Sequence, residues 1–328
     1  GIQDMPLAIL SAGACLHYIS ETRQVKPKHI NNISRIERDK FVWLDGFTIR
    51  NLELFNANSL GGKTLLDILD VTHTPMGSRT MKRWLALPLK EKKPIDERLS
   101  IVSFLCDELN FSEFLTKELK SIGDLERLIS KVSVKKASPK DVLQLKIGLQ
   151  SCLSIINLTK TISNQAIKSL VDRINPCKTL IEKIENWLNP EAPVLVSKGG
   201  VINSGINEEL DEYRRLAFSG KDYLLNLQRK ETEKTGIPSL KIGFNNVFGY
   251  YLEVTNTHKN KVPEEWIRKQ TLVNAERYIT PELKEYESKI LSAEEKILQI
   301  ETELYNELVE FVDNYLEPIQ INAQSMLL

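Results

Sequence analysis

Side chains that can donate hydrogen bonds are concentrated between Pro238 and Glu282. Lys, Arg, Asn, Gln and Thr side chains, together with free backbone N–H groups, bind the phosphates of nucleic acids without reading base identity. A nucleic-acid backbone is therefore a ligand whose chemistry these residue types fit. The donors in this stretch are Asn245, Asn246, His258, Lys259, Asn260, Lys261, Arg268, Lys269, Gln270, Thr271, Asn274 and Arg277.

The same composition also has a structural explanation. A small exposed sheet needs a charged surface, with lysines on its edges, to stay soluble and to avoid pairing with other chains. Glu264, Glu265 and Glu276 also dilute the positive charge of the stretch. On composition alone, both interpretations stay open.

Alternation of apolar and polar residues predicts three short antiparallel strands here. The runs lie at Ile242 to Phe244, at Tyr250 to Val254 and at Val273 to Ile279. Asn245-Asn246 tolerates positive φ, so the first two strands are expected to form a hairpin. The second connection, from Asn256 to Pro263, is longer and polar.

Two long helices flank this β module. Apolar residues recur at spacings of three and four within Asn207 to Lys234 and within Glu282 to Glu317. Such heptads predict that the two helices pack together, antiparallel because the β module joins them. About four further helices are expected between Ile95 and Leu188, so the predicted fold is mainly α, with a long two-helix arm that carries a small antiparallel β module.

The loop ANSLGGKT, from Ala57 to Thr64, fits a loose phosphate-binding pattern and would suggest an ATPase. Such a loop needs a buried strand before it and a helix that begins at the lysine, so that backbone N–H groups converge on the phosphates. The preceding segment, Arg50 to Phe55, suits a helix or a surface turn better than a central strand. We therefore disfavour a nucleotide-binding loop, and the test of the ATPase alternative is nucleotide binding and its response to Lys63→Ala.

The helix that Thr74 and Pro75 begin, with a cap followed by proline, carries Arg79, Lys82 and Arg83. These cations suit either contact with DNA or pairing with acidic neighbours, and we favour pairing. No Ser-His-Asp or Cys-His arrangement, pair of catalytic carboxylates or metal-ligand cluster stands out. We expect no catalytic residue, metal site or cofactor in this chain.

Lys plus Arg and Asp plus Glu each total 44, so the formal net charge is zero. Any attraction to nucleic acid must therefore be local. Cys15, Cys106, Cys152 and Cys177 are scattered, which predicts buried thiols of a cytosolic protein. No signal peptide or membrane-spanning run is evident, which predicts a cytoplasmic protein.

The segment GFNNVFGYYLEVTNTHKNKVPEEWIRKQTLVNAERYITPELKEYE closely resembles the clamp of the bacterial MutS family of DNA mismatch-recognition proteins. Other blocks resemble the same family in the same order, so the resemblance spans nearly the whole chain. They are RNLELF at 50–55, TLLDILDVTHTPMGSRTMKRWL at 64–85, IGDLERLISKV at 122–132, SPKDVLQLK at 138–146 and GGVINSGINEELDEYR at 199–214.

The resemblance implies a division of the chain into parts of a longer protein. Residues 1–40 would be the end of a connector domain, and residues 41–220 a helical core with its lever. Residues 221–280 would form the clamp, and residues 281–328 the returning lever helix. The mismatch-reading domain and the ATPase domain, with its ATP and Mg²⁺, would lie outside this chain.

The resemblance also implies function and partners. In this family, dimers encircle duplex DNA, the clamps hold its backbone without sequence preference, and ATP binding in another domain moves the levers. The implied partners are therefore mismatch-containing duplex DNA, a second subunit and MutL, with no membrane. This chain would be a non-enzymatic DNA-holding module.

From their placement on the strands and loops of the clamp, we select the residues expected to contact the DNA backbone. They are Asn245, Asn246, Lys269, Gln270, Thr271, Asn274 and Arg277, with Lys259, Lys261 and Arg268 as weaker candidates. The alternative is a helical coiled-coil scaffold whose β module binds a protein partner.

Overall fold

The described part of the chain in the computed structural model is residues 2–23, 30, 33, 35–245, 247 and 249–326, without the side chains at positions 220 and 221. It divides into two compact units. Unit 1 comprises Gly1–Val194 and Asn306–Leu328, and unit 2 comprises Leu195–Tyr305. The domain boundaries expected from the resemblance remain a prediction.

Unit 1 is built from helices. In chain order they are α1 (Pro6–Arg23), α2 (Gly46–Asn51), α3 (Leu65–Leu69), α4 (Pro75–Ala86), α5 (Lys92–Asp107), α6 (Leu109–Ile122), α7 (Leu125–Ser133), α8 (Pro139–Thr159), α9 (Gln165–Val171) and α10 (Lys178–Trp187). The end of α12 (Pro281–Asp313) and α13 (Leu316–Ser325) complete it.

Side-chain caps explain where several of these helices begin. Thr74 accepts a hydrogen bond from the N–H of Gly77, and Ser138 forms a capping box with Asp141. Between Ile95 and Leu188 the structure has six helices rather than about four. Two of the six begin at Asp124 and Asn164, whose side chains each accept the N–H of the residue three positions later.

Close contact between α8 and its neighbours holds the core of unit 1 together. A Cβ atom on Gly148 of α8 would lie 2.6 Å from the carbonyl oxygen of Ile122 and 2.8 Å from Cδ2 of Leu125. The glycine therefore lets α8 approach α6 and the start of α7. By length and composition α8 is apolar enough to cross a membrane, but 44% of that stretch is buried inside the fold, as in a core helix.

Unit 2 contains α11 (Glu208–Thr235), a four-stranded antiparallel sheet and most of α12. The strands are β1 (Lys241–Asn245), β2 (Gly249–Thr255), β3 (Ile267–Thr271) and β4 (Ala275–Ile279), in the order β1-β2-β4-β3. The predicted fold class, mainly α with a small antiparallel sheet, is confirmed. The prediction of three strands is wrong, because β3 was not recognised.

The β1–β2 hairpin forms as expected, whereas one strand boundary differs. Val273 lies in the turn between β3 and β4 and is 91% exposed, instead of beginning a strand. The turn forms because the N–H of Leu272 donates to the carbonyl of Ala275 at 2.8 Å. The polar connection after β2 folds into a 3₁₀ helix at Asn256–Lys261.

The two long helices run antiparallel, as their heptads predicted. Arg214 of α11 pairs with Glu301 of α12, and the ring of Tyr223 stacks on Tyr286 with 3.5 Å between centroids. The residue numbers of the partners on α12 therefore fall as those on α11 rise, which is the pattern of antiparallel helices. The returning helix ends at Asp313 rather than near Glu317. Pro318 has no N–H to donate to the carbonyl of Asn314, and it lies in the first turn of the next helix, α13.

One face of the sheet packs against these helices. Leu252, Val254 and Tyr278 lie on that face, within a buried cluster that also contains Leu224 of α11 and Ile290 of α12. Residues paired across the antiparallel ladders share a face, so the register assigns every other strand residue to one side. The opposite face therefore carries Lys241, Tyr251, Glu253, Gln270 and Arg277.

Candidate nucleic-acid interface

The predicted contact residues lie at two opposite ends of the sheet. Asn245 pairs with Gly249 at one end of β2, while Thr255 pairs with Ala275 at the other end, next to the β3–β4 turn. Because β2 has seven residues, the two ends are separated by about 20 Å. Asn245 and Asn274 therefore form two separate patches rather than one site.

Arg277 sits in the middle of the polar face and is engaged within the sheet. Its Nε donates to Glu253 at 2.9 Å and its Nη1 donates to Gln270 Oε1 at 2.9 Å. Its guanidinium also lies over the ring of Tyr251, 4.3 Å from the centroid. Arg277 and Gln270 thus connect β2, β4 and β3, and their donors and acceptors are partly used by one another.

Two of the weaker candidates have exposed side chains that pair with a buried carboxylate. Lys259 Nζ lies 2.7 Å from Glu276, and Arg268 Nη1 lies 3.3 Å from it. The hydroxyl of Tyr278 also donates to Glu276, which is 2% exposed. The hydrogen bond from Lys259, the Tyr278 hydroxyl and the charge of Arg268 lower the pKa of Glu276 to about 2. Burial, with the carboxylate beside it, raises the pKa of Tyr278 to about 12.

Local hydrogen bonds hold two other candidates. Lys261 Nζ donates to the carbonyl of Gly236, just past the end of α11, at 3.1 Å. Asn245 Oδ1 accepts the N–H of Val247 at 2.8 Å, which shapes the hairpin turn. Asn246 lies outside the described residues.

Lys269, Thr271 and Asn274 keep exposed side chains with no partner among the described residues. Lys269 lies where the β3–β4 register shifts between Arg268 and Gln270, so a bulge interrupts the ladder there. β3 is also an edge strand of the sheet. Among the described candidates, these three therefore have side chains that the fold leaves wholly available for a ligand.

A row of polar side chains at directly opposite ladder positions crosses all four strands, and the sequence did not reveal it. Lys241, Glu253, Arg277 and Gln270 occupy aligned positions in the ladders from β1 to β3. Its signal in the sequence is weak, because the alignment depends on the unrecognised strand β3 and on the bulge at Lys269. The residues that sequence reasoning missed here are Lys241 and Glu253.

Outside the sheet, Arg79 pairs with acidic neighbours, as we expected. Its guanidinium donates to both carboxylate oxygens of Asp124, at 2.8 and 2.9 Å, and to Glu126 at 2.6 Å. The two carboxylates raise the pKa of Arg79 above its usual value. Arg79 therefore forms a bidentate, partly buried ion pair with Asp124.

The loop at 57–64 does not have the surroundings of a nucleotide-binding loop. Helix α2, not a strand, precedes it, and the helix after it, α3, is only five residues long. The N–H of Asp67 is taken by the Thr64 hydroxyl, and the N–H of Thr64 by the Asp67 carboxylate. Groups that would meet a phosphate are thus occupied by a capping box.

Unit 1 also contains a largely apolar cavity of about 330 Å³. His73, Trp84 and Thr159 lie in its wall. The hydroxyl of Thr159 donates to the backbone carbonyls of Ile155 and Ile156 of its own helix, both at 2.9 Å. The wall offers no pair of acid and base groups. Among the described residues, no cluster of three or more His, Cys, Asp or Glu side chains has the arrangement of a metal site.

The four cysteines separate into two kinds. Cys152 and Cys177 are buried, as expected, and burial raises the pKa of their thiols to about 12 and about 11. Cys15 and Cys106 are exposed, so the prediction of four buried thiols is wrong for them. They lie on faces of α1 and α5 that the described residues leave open to solvent.

Comparison with known proteins agrees with the resemblance. The family described as MutS domain III matches residues 47–327. The chain is 52% identical over 326 residues to the DNA mismatch repair protein MutS of Phocaeicola vulgatus and 53% identical over 324 residues to that of Christiangramia forsetii. These matches cover 99% of this chain but 38% and 37% of the relatives, so the chain spans well under half of their length. The chain belongs to the MutS family and carries its domain III.

Proposed function

We propose that this chain holds duplex DNA by its sugar–phosphate backbone as part of a DNA mismatch repair protein. Membership of the MutS family supports the process, since the relatives are named DNA mismatch repair protein MutS. The sheet of unit 2 supports the mode of contact, because it carries donors suited to phosphates and lacks the groups of a catalytic site within its described part.

The observation that carries this proposal is the set of exposed donors at the end of β3. Lys269, Thr271 and Asn274 have exposed side chains with no partner among the described residues. A cation, a hydroxyl and an amide within six residues supply both charge attraction and short hydrogen bonds to phosphate oxygens. Asn245 and Gln270 use their amide oxygens within the sheet, so their amide NH2 groups could add contacts, whereas Arg277 would have to give up donors that already bind Glu253 and Gln270.

Other parts of the mechanism concern the longer protein. A second subunit would close the ring around DNA, and a separate ATPase domain would supply ATP and Mg²⁺ chemistry outside this chain. The antiparallel pair α11 and α12 would transmit the resulting movement to the sheet. MutL would be a further partner, and the bacterial cytoplasm at the nucleoid would be the location. This chain would hold DNA without catalysing a reaction.

A titration of the chain with fluorescent duplex DNA, matched and singly mismatched, tests the proposal. Phosphate contacts release counterions, so binding must weaken steeply as salt rises. We expect equal, salt-sensitive binding to both duplexes, with a Kd of roughly 10⁻⁴ M at physiological salt, the weak end of non-specific binding. A clear preference for the mismatch, or no binding at low salt, would contradict the assignment.

A protein-binding scaffold is the second candidate. Two valines at the turns of the sheet favour it, because Val247 is 89% exposed and Val273 is 91% exposed. Because the two valines lie at opposite ends of the sheet, each would contribute to a separate apolar contact with a protein partner. An apolar protein contact would lack the steep salt dependence, so the same titration in several salt concentrations separates the two.

A further inference from the structure

Glu301 of α12 is completely buried, although it is a charged residue. Its Oε2 accepts the N–H of Val201 at 3.1 Å, from the loop before α11. Gly199 and Gly200, with φ of 70° and 74°, make the turn that brings this N–H to the carboxylate. The loop therefore supplies a backbone donor to a buried negative charge.

Arg214 of α11 supplies the compensating charge. Its Nη2 lies 2.5 Å from Glu301 Oε1 and donates to the carbonyl of Ile202 at 2.7 Å. Its Nη1 lies 3.2 Å from Asp211, whose other oxygen accepts the N–H of Gly205 at 2.6 Å. The guanidinium and its two carboxylate partners thus join α11, α12 and both ends of the glycine-containing loop.

The apolar residues of α11 near this pair do not by themselves define one alignment, and the specific stack of Tyr223 on Tyr286 lies further along the two helices. Leu210, Ala217 and Leu224 recur every seven residues on α11, and they are apolar and buried. Sliding one helix by a heptad, about 10 Å, would bring similar side chains into contact again. The same slide would leave Glu301 buried without its cation, which is strongly unfavourable.

We propose that the Arg214–Glu301 pair, with the loop from Gly199 to Gly205, fixes the register of α11 against α12. The apolar residues supply attraction, whereas the buried pair selects one alignment. A buried polar contact that specifies register at some cost in stability is the best-attested role for such groups. The block GGVINSGIN thereby acquires a role that is independent of DNA binding.

Spin-label distances test this directly in the full chain. Labels on Glu212→Cys and Glu295→Cys, both exposed, report the alignment of the two helices. The background carries Cys15→Ser and Cys106→Ser, which removes the exposed native thiols. The test variant is Arg214→Met with Glu301→Leu, which keeps side-chain volume and removes the charges. The matched control is Lys289→Met with Glu285→Leu, an exposed ion pair on α12.

We expect one narrow distance for the unmodified pair and for the control. The Arg214→Met/Glu301→Leu variant should fold, because apolar replacement of a buried pair is often tolerated, yet it should show a broader or second distance population. A distribution as narrow as that of the unmodified chain would overturn the proposal. If this variant does not fold, Arg214→Lys decides, since it keeps the charge but loses the planar fork. A broadened distribution is then expected, and an unchanged one would overturn the proposal.

Discussion

Arg277 on β4 and Glu253 on β2 occupy directly opposite positions in the ladder and are joined by a 2.9 Å hydrogen bond from Nε. The pair is partly buried, with 19% of the arginine side chain and 33% of the glutamate side chain exposed. Arg277, one of the cations predicted to contact DNA, therefore already joins strands β4 and β2. Lys269, with no such partner among the described residues, becomes the better single test of DNA contact.

Replacing Arg277 should lower the stability of the sheet. Arg277→Met removes two hydrogen bonds and leaves Glu253 without its partner, so we expect a loss of about 1–2 kcal/mol in the free energy of unfolding. Urea denaturation followed by circular dichroism measures it, with Lys241→Met on the same face as the control. Unchanged stability combined with weaker DNA binding would instead assign Arg277 to direct contact.

Low pH should reduce the contribution that Glu276 makes to the stability of the fold. Its pKa in the folded protein is about 2, below the ordinary value of 4.5, so its ionised form stabilises the fold fully above about pH 4.5. That contribution is lost progressively as pH falls from there toward 2. Comparing the unfolding of the unmodified chain and Glu276→Gln at several pH values, we expect the stability difference between them to shrink below about pH 4.5. A difference that does not change with pH would disprove the assigned pKa.

Adding a methyl group at Gly148 should destabilise unit 1. Alanine favours helices, but its Cβ would lie 2.6 Å from the Ile122 carbonyl, so α6 and α8 must move apart. We expect Gly148→Ala to cost about 1–3 kcal/mol in thermal or urea unfolding. Gly13→Ala is the matched control, because nothing lies within 4 Å of its added Cβ, and a small gain of about 0.5–1 kcal/mol is expected. Equal effects at the two positions would refute the close approach.

Thiol reactivity should divide the cysteines by burial. Cys15 and Cys106 are exposed, whereas Cys152 and Cys177 are buried with raised pKa values. A thiol reagent such as dithionitrobenzoate should therefore modify two thiols quickly at mild alkaline pH and the others only on unfolding. Cys15→Ser with Cys106→Ser should abolish the fast phase. Four fast thiols would mean that the core around Cys177 is open.

Helix positions followed from the sequence because their signals are local. Caps at Thr74 and Ser138 and the heptads of α11 and α12 depend on residues close in the chain. Strand β3 was missed because Ile267–Thr271 contains one apolar residue in five, as an edge strand with an exposed face can. The separation of Asn245 from Asn274 follows from strand order and register, which no local pattern encodes.

The candidate site could be predicted only in part from the sequence, because local patterns do not encode contacts between strands. Residue type correctly marked donors, but partners across the sheet decide which donors are available. Lys259 and Arg268 pair with Glu276, and Arg277 pairs with Glu253, through contacts between residues 8 to 24 positions apart. Arg79 was assigned to pairing correctly, although its partner Asp124 lies 45 positions away and was not identified.

The most direct test of the proposed function is charge reversal at Lys269. Lys269→Glu and the control Lys178→Glu, an exposed lysine at the start of α10 in unit 1, change the net charge equally. Binding of duplex DNA to the chain is measured across a salt series. If the account is right, Lys269→Glu lowers affinity several-fold and reduces the salt slope by about 1, whereas Lys178→Glu changes neither appreciably. Equal effects of the two variants, or none, would show that the end of β3 does not contact the DNA backbone.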